Sequence, residues 1–117
     1  MERLSRSEWQ LMRICWRLGR ATVRQVLKED RKKHRRDYRT ILTFMSRMAN
    51  KGWLKVEKER NTNYYSPAVP QKRALRGEIR LFLDEVVGIE PEHLELLQTA
   101  LDRKKRKSSR DRARVGP

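Results

Sequence analysis

Between Asp37 and Lys51 the chain reads YRTILTFMSRMAN and holds no acid. Apart from Tyr38, its polar side chains are two arginines, two threonines, a serine and an asparagine. These groups suit recognition rather than bond-making. A guanidinium forks onto two acceptors at once, a hydroxyl gives or takes a hydrogen bond, and a threonine methyl makes a small apolar contact. In a helix each residue turns by about 100°. Arg39, Thr43, Ser46, Arg47 and Asn50 then gather on one side, with Thr40 on their flank. Ile41, Met45 and Met48 gather nearly opposite, with Phe44 at the border. Solvated helical faces usually mix signs and gain i,i+4 ion pairs. This one offers cations and neutral polar groups only. All six residues of 31–36 are basic, with His34 counted among them, and Lys58 and Arg60 follow the segment. Such a surface suits a polyanion whose edge also carries hydrogen-bonding groups.

The bulk composition agrees. The 117 residues carry 30 Lys and Arg against 15 Asp and Glu, a net charge of +15. That balance speaks of partners rather than of fold: nucleic acid, an acidic surface or an anionic membrane. No apolar run is long enough to span a bilayer, and the N-terminus has no apolar signal-like core. Cys15 is the single cysteine, so no intrachain disulfide framework exists. The expectation is a cytoplasmic chain in a reduced compartment, without a membrane partner. Cys15 falls in an apolar stripe and reads as a small core hydrophobe.

The elements that must position the polar face are legible on either side of it. Ser5 and Glu8 have capping-box spacing, which predicts a helix from about Ser5 to Leu18, ended by Gly19. Trp9, Met12 and Trp16, with Leu11, Cys15 and Leu18, give it a wide apolar stripe. Thr22 and Gln25 repeat the capping spacing and open a short helix with Val23, Val26 and Leu27 inward. Asp37 is the expected N-cap of the third helix and Gly52 its C-terminal stop. Leu54 and Val56 alternate with Lys55 and Glu57, ERNTN supplies a turn, and YYS is rich in strand formers. This reads as a β-hairpin with a polar tip over 58–64. Residues 70–87 return to helical spacing, and a break is expected at Gly88. Pro91 opens a further helix with Leu94, Leu97 and Leu101 on one face.

Three helices followed by a hairpin form the winged helix-turn-helix plan. The fold class expected is mainly α with a small β-hairpin: a DNA-binding domain over 1–70, a helical dimerisation region over 71–102 and a basic tail over 103–117, disordered when free. A helix fits the major groove of DNA, where each base pair shows a distinct pattern of donors and acceptors. The hairpin tip and the basic loop, including Arg35 and Arg36, would then meet phosphates.

LSRSEWQLMRICWRLGRATVRQVL, YRTILTFMSRMANKGWL and YYSPAV together resemble the penicillinase-repressor family over roughly 4–70. The resemblance implies a homodimeric bacterial repressor on an inverted-repeat operator, with dimer contacts mainly from C-terminal helices. It places DNA contact at Arg39, Thr40, Thr43 and Arg47, and phosphate contact near Arg60, Asn61 and Asn63. Ser46 joins them by its position on the face. Two departures matter. Val86-Val87-Gly88 passes almost directly to IEPEHLELLQTALDRKK, leaving little of the segment cut during induction in the resistance-gene repressors. The cysteine-rich metal motif of the copper-responsive branch is absent.

Other chemistry is scarce. His34 and His93 lack metal-ligand company, and no phosphate-binding glycine loop or nucleophile–base spacing occurs. No enzyme activity, cofactor, metal or small-molecule ligand is expected. Leu75, Ile79, Phe82, Val86, Leu94, Leu97 and Leu101 would leave an apolar patch on a monomer that a second copy would cover. Two further readings compete with the repressor: a non-specific or architectural DNA binder driven by net charge, and a regulatory module acting through protein contacts.

Overall fold

The computed structural model of the protein describes residues 2–85 and 91–114. The order is α1 (Arg6–Leu18), α2 (Val23–Asp30), α3 (Tyr38–Asn50), β1 (Leu54–Glu59), β2 (Thr62–Pro67), α4 (Gln71–Glu85), a 3-10 turn (Pro91–His93) and α5 (Leu94–Arg114). The chain divides into two compact units, Met1–Gly77 and Glu78–Pro117.

Both expected capping boxes form. The Ser5 hydroxyl accepts from the Glu8 amide at 3.2 Å while Glu8 Oε1 accepts from the Ser5 amide at 2.8 Å. Thr22 and Gln25 do the same at the start of α2. Each box satisfies two of the amides that a helix start leaves open. At the other end of α3, Gly52 takes φ +89°. This lets the Gly52 amide reach the Ala49 carbonyl at 3.0 Å and the Trp53 amide reach the Met48 carbonyl at 2.9 Å. That paired closure needs a left-handed residue, which glycine adopts without strain.

The core of the N-terminal unit is where the three helices meet. Leu11, Met12, Cys15, Val26, Ile41, Met45 and Met48 are fully buried. Burial pushes the Cys15 thiol up to about 12, so it packs as a neutral hydrophobe. Trp9 joins the two other tryptophans, with ring centroids 5.7 Å from Trp16 and 6.3 Å from Trp53. Trp16 Nε1 donates to the Val69 carbonyl at 2.8 Å, which fastens α1 to the segment leading into α4.

The hairpin pairs antiparallel from Leu54 opposite Pro67 to Glu59 opposite Thr62. Arg60 and Asn61 form its two-residue turn, with φ +49° and +66°. Two positive φ values are what a tight hairpin turn matched to strand twist requires. The sequence does not announce a third strand-like contact. Ala21, between α1 and α2, exchanges both backbone hydrogen bonds with Tyr65 at 2.9 and 2.7 Å. The hairpin is thereby stitched to the helices rather than left as an isolated ribbon, which would be marginal on its own.

Helix α5 extends to Arg114, into the basic tail of 103–117. Lys and Arg are straight-chain residues with good helix propensity, and an all-polar helix needs no burial to be solvated. The expected break at Gly88 lies outside the described residues.

Candidate nucleic-acid interface

The exposed side of α3 is built from its first turn. Asp37 Oδ1 accepts from the Thr40 amide at 2.8 Å. That backbone hydrogen bond holds the Asp37 carboxyl below its ordinary value, so it stays charged at the positive end of the helix. Arg39, Thr43, Ser46 and Arg47 are exposed and Thr40 is half-buried. The Thr43 hydroxyl donates to the Arg39 carbonyl one turn back at 2.9 Å. Its proton is therefore committed. What Thr43 presents outward is a lone pair and a methyl, which suits a base amine or a thymine methyl.

Both ends of α3 are fixed by ion pairs to nearly water-free carboxylates. At the C-terminal end, Lys51 Nζ lies 2.7 Å from Glu8 Oε1 and donates to the Arg3 carbonyl at 3.2 Å. Burial raises the Glu8 carboxyl, and the Lys51 ammonium with the Ser5 amide and hydroxyl bring it below its ordinary value. At the N-terminal end, Arg36 Nη1 lies 2.7 Å from Asp30 Oδ1. Arg36 Nη2 also meets Gln10 Oε1 and lies 3.4 Å from Ser7 Oγ.

That second pair bears on one expectation. Arg36 is grouped with Arg35 as a phosphate contact in the sequence, but the two diverge. Arg35 is exposed, whereas the Arg36 side chain is 16% exposed and faces a carboxylate that is 0% exposed. A buried carboxylate needs a partner, and the guanidinium two residues before α3 supplies it. Arg36 is engaged within the domain by Asp30, Gln10 and Ser7.

Arg60, Asn61 and Asn63 are exposed at and beside the hairpin turn. Between that turn and the starts of α2 and α3 runs a groove of about 330 Å³. It brings in residues that the sequence reading passes over. Thr22 and Arg24 line it from α2, and Tyr38 from α3, with the Arg24 guanidinium carbon 5.4 Å from the centre of the Tyr38 ring. In a helix-turn-helix the first helix of the motif crosses the nucleic-acid backbone, and Arg24 lies near the start of the helix, α2, in the corresponding position. The legible signal was its position, the second residue of a capped helix. Arg20 stacks at 3.8 Å over the Tyr64 ring and pairs with Glu59 at 2.6 Å, which ties the α1–α2 corner to the hairpin.

Of the apolar residues assigned to a dimer contact, Leu75, Ile79, Phe82 and Leu101 are exposed in this single chain, and Leu97 is half-buried. Val86 and the Leu94 side chain lie outside the described residues. Among the described residues no group of three His, Cys, Asp or Glu could hold a metal ion. No helix there is long and apolar enough to cross a membrane.

This arrangement has known relatives. A solution structure of the DNA-binding domain of the repressor BlaI shares 27% identity, with a TM-score of 0.54, covering 61% of this chain and 90% of that one. Bacillus licheniformis BlaI, solved as a monomer with the blaP half-operator, shares 27% identity at a TM-score of 0.53, covering 61% of this chain and 87% of that one. Bordetella bronchiseptica BpsR, at 18% identity and a TM-score of 0.53, shares the fold over 86% of this chain and 75% of its own. An uncharacterised 16.5 kDa protein from Latilactobacillus sakei is 33% identical over 88 residues, 74% of this chain. The chain spans 59% of the length of that relative. The penicillinase repressor family model matches residues 4–114, nearly the whole chain, and with the winged-helix likeness to BlaI this makes the protein a member of the penicillinase repressor family.

Proposed function

We propose that the protein is a DNA-binding transcriptional repressor of the BlaI type that acts as a homodimer on an inverted-repeat operator. Helix α3 enters the major groove and reads bases through Arg39, Thr40, Thr43, Ser46 and Arg47. The turn residues Arg60, Asn61 and Asn63, together with Arg35, meet phosphates, and Arg24 joins them from α2. The observation that carries this reading is the acid-free outer face of α3, fixed at both ends by buried ion pairs. A face held this rigidly presents its hydrogen-bonding groups in one geometry, which base readout requires. The half-operator bound by the Bacillus licheniformis relative supports the same use of the domain.

Exposed Leu75, Ile79 and Phe82 on α4 support a second copy as the partner. A two-fold dimer sets two recognition helices about one DNA turn apart. Selection of bound duplexes from a random pool tests both parts. The expected product is a palindromic pair of half-sites. A pool that stays random would favour the second reading, a charge-driven binder without base specificity, which the net charge of +15 supports.

A further inference from the structure

Charge is unevenly distributed beyond residue 77. Residues 78–102 hold seven acids and one Lys or Arg, Arg80, whereas 103–117 hold eight cations and one acid, Asp111. The change of sign falls inside one continuous helix, α5. At about 100° per residue, Arg103 and Arg106 lie away from Leu97 and Leu101, Lys107 lies at the border, and Lys104 and Lys105 continue the leucine side.

All five residues of 103–107 are exposed. Among the described residues none of these five forms an ion pair. In the N-terminal unit, by comparison, five cations meet a carboxylate, Arg17, Arg20, Lys32, Arg36 and Lys51, while others such as Arg35 stay exposed. The nearest acid in sequence, Asp102, accepts from Gln98 at 3.2 Å instead. Like charges three and four apart on a helix repel. A dense external polyanion turns that cost into attraction.

We infer that the basic end of α5 is a second phosphate-binding element, which lies along the backbone of duplex DNA flanking the site read by α3 and adds affinity without reading bases. This rests on the proposed function only in taking DNA as the polyanion. A duplex carries one charge per roughly 1.7 Å of its axis. The acids of 78–102, seven in 25 residues, are a sparser match for adjacent cations. Placement of Arg103 and Arg106 away from Leu97 and Leu101 lets α5 bury one face while these cations stay free for phosphate.

The test compares the full chain with the triple variant Arg103→Gln, Arg106→Gln, Lys107→Gln. Glutamine keeps helix propensity while removing charge. Binding to a random-sequence duplex and to a selected duplex is titrated across a salt series, with helix content followed by circular dichroism. Each phosphate contact contributes about 0.9 to the slope of log K against log salt, so losing three flattens it by about 2.7 per bound helix. The expected result is that flattening on both duplexes, with their affinity ratio unchanged. An unchanged slope on the random duplex overturns the inference, as does a loss confined to the selected one. A shift in sedimentation at unchanged slope overturns it too, because the cations would then serve a protein contact. If the unaltered chain prefers no duplex, the repressor reading fails, while the random-duplex slope still decides this one.

Discussion

Lys51 Nζ sits 2.7 Å from Glu8 Oε1, joining the end of α3 to the start of α1 across 43 residues of sequence. Glu8 thus serves twice. Its Oε1 closes the capping box on Ser5 and also receives the ammonium that fixes α3.

This pair makes part of the acid stability depend on the Glu8 carboxyl. Folding lowers the Glu8 pKa below the ordinary 4.5. The pair's contribution is therefore fully present above pH 4.5 and is lost as pH falls through the lowered folded value. Urea denaturation above and below that point should show stability falling on acidification, and Glu8→Gln should flatten the fall. Lys51→Met, which strands the buried carboxylate, should cost about 3–5 kcal/mol at neutral pH. Equal acid sensitivity in parent and Glu8→Gln would assign the effect to other groups.

Arg35 and Arg36 are neighbours in different environments, one exposed and one paired with Asp30. Arg36→Ala leaves Asp30 buried without its cation and should destabilise by about 3–5 kcal/mol. Arg35→Ala should leave thermal stability within about 0.5 kcal/mol and weaken binding to every duplex alike. Thermal melts paired with salt-dependent titrations separate the two, and comparable melting losses would contradict the divergence seen between them.

Arg47→Ala should lose about 1–3 kcal/mol on the selected duplex, roughly 5- to 150-fold, and far less on random DNA. Thr43→Val keeps a methyl but removes the oxygen, so it should preserve any thymine contact and lose any contact to a base amine. Electrophoretic or fluorescence titrations on single-base variants report which. Binding of every duplex as by the parent, in both variants, would end the recognition-helix reading.

Phe82, 47% exposed on α4, should be covered in a dimer. Phe82→Asp is expected to give monomers in sedimentation and a large loss of affinity for a two-half-site duplex, with single half-site binding retained. A stable monomer of the unaltered chain at micromolar concentration would sink the dimer.

Much of this molecule is legible along the chain because its signals are local. Ser5 with Glu8, and Thr22 with Gln25, declare helix starts within one turn, and both boxes form. The two sides of α3 follow from a 3.6-residue period, and Ile41, Met45 and Met48 are buried as that period requires. How far α5 reaches into the basic tail, to Arg114, was not legible, because a Lys- and Arg-rich stretch has no apolar period to mark a helix end. The groove of Arg24 and Tyr38 beside the hairpin turn was not legible, since it assembles residues from three elements.

By itself, then, the sequence determined where the helices begin, which side of α3 is apolar, the hairpin and its polar turn, and the cationic character of the whole. These depend on hydrogen bonds and periodicities within a few residues. Tertiary structure decided which cations remain outside. Arg35 and Arg36 are adjacent and alike, yet one is free and the other is drawn to Asp30 against α1. It also stitched Ala21 to Tyr65 and Glu8 to Lys51, contacts spanning about 40 residues. The reason is physical: a buried carboxylate or strand edge must find its partner in space, and that partner is chosen only when the helices pack.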